Sequence, residues 1–376
     1  MGVWERRSKI VAESLKSYPS NPNITNTSHC NMKIPTNTIF LLFLALSAWG
    51  NDGVYLTRGG VIYPVNESNI SLDREVLCFT VKDKACSVDI LFEFNNPDKT
   101  DRKLLIGFQA PMAYGDVSDA AKTNQISDFK IMSNGQIVPY TLKIAECENC
   151  ALKDLANVNL SEAEFPAVFV YLFELTFKPG MNKINHSYTF PASINVQTSQ
   201  FYNYILTTGS KWANGTIKDL TVQIDMGANS YFYVNDIFGS KADWAVVGAG
   251  KITAENQIYE TEPTRVVRVL SGKLQIHVQA FKPLKNIEFG ISRQLETDFL
   301  NTDDFSLDSS YSKEDLILLR NRIYAQHGYV FKRKDLQDYF SQFDWYVPDP
   351  NLTMENIQMT EKEKKLIEAI LQQEKE

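Results

Sequence analysis

Between Val54 and Phe281, apolar and polar residues alternate over short runs, and this period of two constrains the fold more than any other feature. Glu75-Val76-Leu77-Cys78-Phe79-Thr80-Val81, Val88-Asp89-Ile90-Leu91-Phe92-Glu93-Phe94 and Leu220-Thr221-Val222-Gln223-Ile224-Asp225-Met226 are examples. Val266 to Leu270 and Leu274 to Phe281 continue the pattern. Successive side chains of an extended strand point to opposite faces, so such runs suit strands with one buried face. They are rich in β-branched and aromatic residues, which pack well on a pleated surface. Asn134-Gly135 and Lys178-Pro179-Gly180 are turn signals between them. About a dozen short strands without long amphipathic helices predict one elongated or two packed β-sandwiches over residues 51–290. Helical interruptions are expected at 114–126 and near 151–163.

The start of the chain reads differently. Residues 1–31 contain Arg6, Arg7, Ser14, Ser17, Pro19, Asn21 and Pro22 without lasting periodicity, and read as a spurious extension from too early a start codon. Met32-Lys33, an apolar run from Ile39 to Ala48 and then Ala48-Trp49-Gly50 follow. A short basic start, an apolar segment and small residues at the end describe a secretory signal peptide over 32–50, with cleavage after Gly50. The apolar run is too short to cross a bilayer, which takes about 20 residues, so no transmembrane span is expected in the mature chain. No cysteine follows the run at the cleavage point, which argues against lipid attachment there. The net charge of −7 becomes about −10 once residues 1–50 are removed. Such an acidic balance repels phosphate backbones and argues against nucleic-acid partners.

Export makes the cysteines informative, because oxidising compartments favour disulfides. Cys78, Cys86, Cys147 and Cys150 remain beyond the signal segment. Cys78 and Cys86 flank the polar turn Lys82-Asp83-Lys84, so the local pairing 78–86 with 147–150 is the first choice among three connectivities. Cys147 and Cys150 also have the spacing of a redox pair. Glu146 and Glu148 flank them, and negative charge discourages the reactive thiolate. A four-cysteine zinc site is disfavoured because only one pair has ligand spacing.

A short helical region closes the chain. Ser312-Lys313-Glu314-Asp315 predicts a capping box, in which a side chain and a backbone amide satisfy each other at a helix start. Leu316, Leu319, Ile323 and Tyr324 then share one helical face, and Gly328 is a natural stop. Lys334 to Phe340 reads as a second helix, and Thr360-Glu361-Lys362-Glu363 opens a third with Leu366, Ile367, Ile370 and Leu371 on its apolar stripe. Tyr324, Phe331, Phe340, Trp345 and Tyr346 are its expected aromatic core. The fold class is therefore mainly β followed by a small α-helical C-terminal domain over 312–376, with an acidic linker at 291–311.

Leu319-Arg320-Asn321-Arg322-Ile323-Tyr324-Ala325-Gln326-His327-Gly328-Tyr329-Val330-Phe331, with Trp345-Tyr346 and Pro348, resembles the bacterial YARHG domain over about Ser312 to Leu371. Gln326 stands where the motif has Arg, so a role for a cation there is not carried over. The resemblance implies an exported protein and supplies no chemistry. Asn51-Asp52-Gly53, Arg58-Gly59-Gly60-Val61, Asn69 to Leu77, Val88 to Asn95, Asn185-His186-Ser187-Tyr188 and Tyr204-Ile205-Leu206-Thr207-Thr208-Gly209-Ser210-Lys211-Trp212 resemble an uncharacterised bacterial exported family (domain of unknown function 4424). That resemblance runs from about Asn51 to Met226 and implies a β-rich ectodomain.

His327, Arg320, Trp345 and Tyr346 are the candidate ligand-binding residues. Each also has a structural reading. His327 can bond free carbonyls at a helix end. Arg320 and Arg322 can lie in solvent or pair with Glu314 or Asp315. Trp345 and Tyr346 can be core. The chain holds no phosphate loop, no Gly-x-Ser-x-Gly elbow and no His-Glu-x-x-His. His186, His277 and His327 are dispersed, and the first two lie in alternating runs where they are expected to face solvent. No catalytic, cofactor-binding or metal-ligating residue is assigned, and no cofactor is expected. The expected function is a non-enzymatic binding or scaffold protein of the bacterial envelope, located in the periplasm, at the cell surface or secreted. Its partner would be an envelope polymer or envelope protein. The alternative is a cell-wall-associated hydrolase or an accessory domain of one, because YARHG-like modules can accompany peptidases.

Overall fold

The computed structural model of the chain describes residues 53–58, 61–65, 69–111, 124–146, 151–160, 168–194, 197–259, 262–298, 300 and 305–375. The expected signal peptide at 32–50, the extension expected before it, and Cys147 and Cys150 lie outside the described residues. The strands are β1 (Gly53–Arg58), β2 (Val61–Val65), β3 (Ser71–Lys82), β4 (Ala85–Asn96), β5 (Arg102–Pro111), β6 (Ser127–Ser133), β7 (Gln136–Ile137), β8 (Tyr140–Ala145) and β9 (Lys153–Asp154). They continue with β10 (Val168–Phe177), β11 (Gly180–Pro191), β12 (Thr198–Tyr204), β13 (Ile217–Asp225), β14 (Ser230–Asn235), β15 (Ala245–Tyr259), β16 (Glu262–Phe281) and β17 (Ile287–Ser292). The helices α1 (Arg293–Asp298), α2 (Lys313–Ala325), α3 (Lys334–Phe340) and α4 (Glu361–Gln373) follow. The chain is thus mainly β with its helices gathered at the C-terminus, as the alternation and the capping boxes require.

Two sheets form. The smaller has six strands in the order β2-β1-β5-β10-β8-β9. The larger has eleven, in the order β12-β17-β14-β16-β13-β3-β4-β11-β6-β7, with β15 paired to β16. They face each other through aromatic rings: Phe108 of β5 lies 5.3 Å from Phe129 of β6 and 5.6 Å from Tyr188 of β11, centroid to centroid. The larger sheet also folds back on itself. Phe289 of β17 and Tyr204 of β12 pack on Phe79 of β3 at 5.0 and 5.6 Å. Each such buried ring contributes roughly 1.5–3 kcal/mol of apolar burial.

Turn chemistry sets the registers. β3 and β4 meet across Asp83-Lys84, both at positive φ (50° and 63°), with Lys82 opposite Ala85. Asn134 (φ 48°) and Gly135 (φ 87°) make the same kind of two-residue turn between β6 and β7. Mirror-image turns of this sort match the right-handed twist of the strands they join. At Lys178-Pro179-Gly180 the chain crosses from β10 to β11, and the Asn182 amide closes the turn onto the Lys178 backbone at 2.7 and 2.8 Å.

Cys78 and Cys86 do not pair with each other. In the β3–β4 register Cys86 sits opposite Val81, whereas Cys78 sits opposite Asp89. Cys86 therefore shares the inner face with Leu77 and Phe79, and is a buried free thiol. Cys78 lies on the other face beside Val76 and Leu91. Two residues on opposite faces of a hairpin cannot bring their sulfurs to bonding distance.

Two other stretches depart from expectation. In 151–163, the described residues form β9 and a 3-10 turn at Leu155–Asn157. The helix expected at 114–126 falls almost wholly outside the described residues. Within 291–311, α1 follows β17 directly, Leu295 and Leu300 are buried, and Phe305 and Leu307 pack beside them. The apolar residues scattered among the acidic ones seat this stretch against the fold.

Candidate functional site

The helical region is built on its caps. Ser312 Oγ accepts from the Asp315 amide at 3.1 Å, and Asp315 Oδ2 accepts from the Ser312 amide at 3.3 Å. Leu316, Leu319 and Ile323 are then buried on one face of α2. The helix ends where Gly328 takes φ 85°, and the Tyr329 amide bonds back to the Tyr324 carbonyl at 3.2 Å. That bond satisfies a carbonyl which the ending helix would otherwise leave open. Thr360 and Glu363 form the second box at the start of α4, at 3.2 and 2.6 Å.

Each of the four candidate side chains is engaged within this framework. His327 Nε2 lies 3.3 Å from Glu363 Oε2, the same oxygen that accepts from the Thr360 amide. The imidazole thus joins the end of α2 to the capped start of α4. Arg320 donates to both oxygens of Glu374 at 2.7 and 3.2 Å, and does not pair with Glu314 or Asp315. Trp345 is buried, and its ring is stacked on Phe343 with centroids 5.1 Å apart and planes 15° apart. The guanidinium of Arg322, itself fully buried rather than solvated, lies 5.6 Å from the Trp345 ring. Tyr346 Oη donates to the Tyr329 carbonyl at 2.9 Å, and burial pushes the phenol pKa up to about 12. Gln326, which replaces the arginine of the motif, donates to the Leu300 carbonyl at 2.7 Å.

The helices do not stand apart from the sheet. Tyr231, Tyr233 and Val266 of β14 and β16 share one apolar cluster with Leu295, Leu300, Leu316, Phe340 and Trp345. Arg268 of β16 is 0 % exposed. It donates from Nε to the Trp345 carbonyl at 3.2 Å, and from Nη1 to the Ser230 and Val269 carbonyls at 2.9 and 3.0 Å. Nη2 donates to Asn229 Oδ1. A guanidinium carries five donors in a fixed fork, which is why it can serve sheet and helical region at once.

Among the other buried polar groups of the β body are Glu75 and His186. Glu75 of β3 is 2 % exposed and accepts from Tyr204 Oη at 2.7 Å. Desolvation raises its pKa to about 7, against a smaller lowering by the tyrosine hydrogen bond. His186 of β11 is 1 % exposed, so it does not face solvent as expected. It lies among Phe108, Phe129 and Tyr188 at 5.2, 4.3 and 5.8 Å, and burial holds its pKa well below the ordinary value. His277 is half exposed and lies 3.4 Å from Asp219. Beside His186 the rings continue outward: Tyr171 is stacked on Phe129 at 4.0 Å, and Tyr140 meets Phe129 edge-on at 4.7 Å. Asn124 Nδ2 donates to Tyr171 Oη. Tyr140 and, on the neighbouring β7, Ile137 are exposed large side chains, at 43 and 82 %.

Glu75 and Arg268 are not among the candidates read from the sequence, and His186 is expected at the surface, yet strand parity marks all three as inward. Glu75 alternates with Leu77 and Phe79, His186 with Ile184 and Tyr188, and Arg268 with Val266 and Leu270. Among the described residues no group of three or more His, Cys, Asp or Glu side chains could hold a metal ion, and no helix is long and apolar enough to cross a membrane.

Comparison with known proteins assigns two parts of the chain. Residues 291–375 match the YARHG domain, and residues 50–166 match a domain of unknown function (DUF4424). The first match begins at residue 291 and so takes in α1 and Leu300, which pack in the same cluster as α2 and Trp345. The Leu206–Trp212 run lies beyond the second match. No curated protein sequence matches the chain. Among solved structures, the chain is similar to a candidate nutrient binding protein of Legionella pneumophila, at 19% identity and a TM-score of 0.43, over 88% of this chain and 99% of that one.

Proposed function

We propose that the protein is an exported component of the bacterial cell envelope that acts by binding or scaffolding, without a chemistry of its own. The observation that carries this reading is the engagement of the polar and aromatic cluster of the YARHG region. Arg320 pairs with Glu374, His327 meets Glu363, Tyr346 bonds Tyr329 and Trp345 is buried against the β-sheet side. Groups that already hold a fold together are poorly placed to exchange partners with a substrate. The YARHG match supports an address outside the cytoplasm, in the periplasm, at the surface or secreted. The partner is an envelope polymer or an envelope protein. Tyr140, exposed at the outer end of the ring column on Phe129 and Tyr171, and the exposed Ile137 of the edge strand β7 are the contact residues we assign to it. Aromatic side chains present large contact area at low entropic cost, which suits them to that task.

The test is retention of partners from envelope extracts on the tagged full-length protein, with co-sedimentation on purified peptidoglycan beside it. Specific retention that falls at least tenfold in Ile137→Asp/Tyr140→Ala supports the reading. A protein that retains nothing from either source overturns it. Release of soluble wall fragments by the wild type, lost in a folded His327→Ala variant, would establish the hydrolase reading instead.

A further inference from the structure

We propose that Glu75 and Tyr204 form a proton-controlled latch, which holds the edge strand β12 and the turn after it onto the β body when the carboxyl is neutral and loosens them when it ionises. The geometry has three parts. Glu75 projects from the middle of β3 into the apolar interior, on the face shared with Leu77 and Phe79. Its hydrogen-bonded partner Tyr204 is the last residue of β12 and is also buried. β12 is a sheet edge: among the described residues its backbone pairs with β17 on one side, with a register shift between Thr198 and Gln200, and with an isolated bridge from Ser193 to Phe201. Tyr204 then leads into the 3-10 turn Leu206–Lys211 and into Trp212, which packs on Phe94 at 4.3 Å. A segment held mainly along one side can open without the rest of the sheet.

The charged neighbourhood is simple. Beside Glu75 in the sheet, β4 presents Phe92 and β13 presents Leu220. From β12 the facing titratable group is Tyr204, and β17 contributes Phe289 to the same interior. Arg74, Glu93 and Asp219 project from the opposite face, where Arg74 lies 3.9 Å from each carboxylate. Glu288 of β17 likewise points away, accepting from Tyr233 Oη at 3.1 Å. An ionised Glu75 would therefore have the tyrosine hydroxyl as its support in a desolvated interior, which is costly.

The sign follows from the two states. In the closed latch the carboxyl titrates near 7, and in an opened, solvated segment near its ordinary 4.5. Below 4.5 both states are protonated and the latch is at full strength. Between 4.5 and 7 the open state gains a charge that the closed state refuses, and closure weakens about tenfold per pH unit. Above 7 the effect levels off.

Hydrogen exchange of the full-length protein from pH 5 to 8.5, corrected for the intrinsic pH dependence of exchange, reads this directly in peptides covering 198–212. Protection of that segment should fall by about two orders of magnitude up to pH 7 and then level, while peptides from β4 and β11 change far less. Glu75→Gln should remove the pH dependence. Tyr204→Phe removes the hydrogen bond that favours the carboxylate, so its plateau should begin above pH 7. A flat wild-type profile, or a Glu75→Gln profile that keeps the slope, overturns the latch. Should Glu75→Gln fail to fold, Tyr204→Phe decides alone: a plateau that stays or moves to lower pH overturns it.

Discussion

Replacing Arg268 with Met should destabilise the protein by about 3 kcal/mol and loosen the helical region from the sheet. Methionine fills much of the space of the aliphatic stem but donates nothing. The Trp345, Ser230 and Val269 carbonyls, now served at 3.2, 2.9 and 3.0 Å, would lose the guanidinium. A buried acceptor left without its donor costs about 1–3 kcal/mol, and the low end is appropriate here because removing a buried charge recovers part of its desolvation penalty. Three acceptors at about 1 kcal/mol each give the estimate. Urea denaturation followed by circular dichroism measures the total. Limited proteolysis under native conditions measures where the loss falls, and cleavage should appear first between residues 293 and 375. Arg268→Lys is the control for charge: one ammonium cannot reach both Trp345 and Ser230 from the same stem, so it should recover less than half of the loss. A loss below about 1 kcal/mol in Arg268→Met, with an unchanged cleavage pattern, would refute the view that this side chain ties the two parts together.

Wild-type global stability should decline by about 3 kcal/mol between pH 4.5 and 7 from Glu75 alone, because a carboxyl raised to about 7 in the fold opposes ionisation that the unfolded chain allows. The Glu75→Gln difference, measured by denaturant titration at several pH values, should grow over that window and stay constant above it; a difference that does not change with pH would contradict the assignment. Cys86 should react with a thiol reagent only after unfolding, and non-reducing peptide maps should contain no species linking Cys78 to Cys86; its detection would contradict the β3–β4 register. Leu319→Ala removes a fully buried side chain from the helical core and should cost about 2–5 kcal/mol in thermal or chemical denaturation; a cost under about 1 kcal/mol would place Leu319 at the surface.

Much of the fold is legible residue by residue. The alternation through Glu75–Val81 and Val88–Phe94 marks β3 and β4, the Asn134-Gly135 pair marks the β6–β7 turn, and the two Ser/Thr-x-x-Asp/Glu boxes mark the starts of α2 and α4. These succeed because each signal and its consequence lie within a few residues of one another. The disulfide between Cys78 and Cys86 failed as an expectation even though local parity excludes it: eight positions apart across a two-residue turn, they fall on opposite faces. Proximity along the chain does not bring two side chains together when they point to opposite faces. His186 failed for a related reason. Its strand is legible, but polarity alone points a histidine outward, whereas Ile184 and Tyr188, two positions to either side, place it in the interior.

By itself the sequence determined which segments extend and which coil, where their turns and caps fall, and that the C-terminal region resembles an exported module, since all of these rest on local backbone preference and side-chain period. Only the tertiary structure decided that β3 runs parallel beside β13, that β12 and β17 fold back over Phe79, and that α1 and Leu300 join the helical core. It also decided that His327 meets Glu363 and that Arg268 reaches Trp345 across 77 positions of sequence. The physical reason is range. A strand's unpaired backbone edge accepts many neighbours equally well, so the choice among them falls to the shape and polarity of distant surfaces that meet only when the whole chain closes on its core.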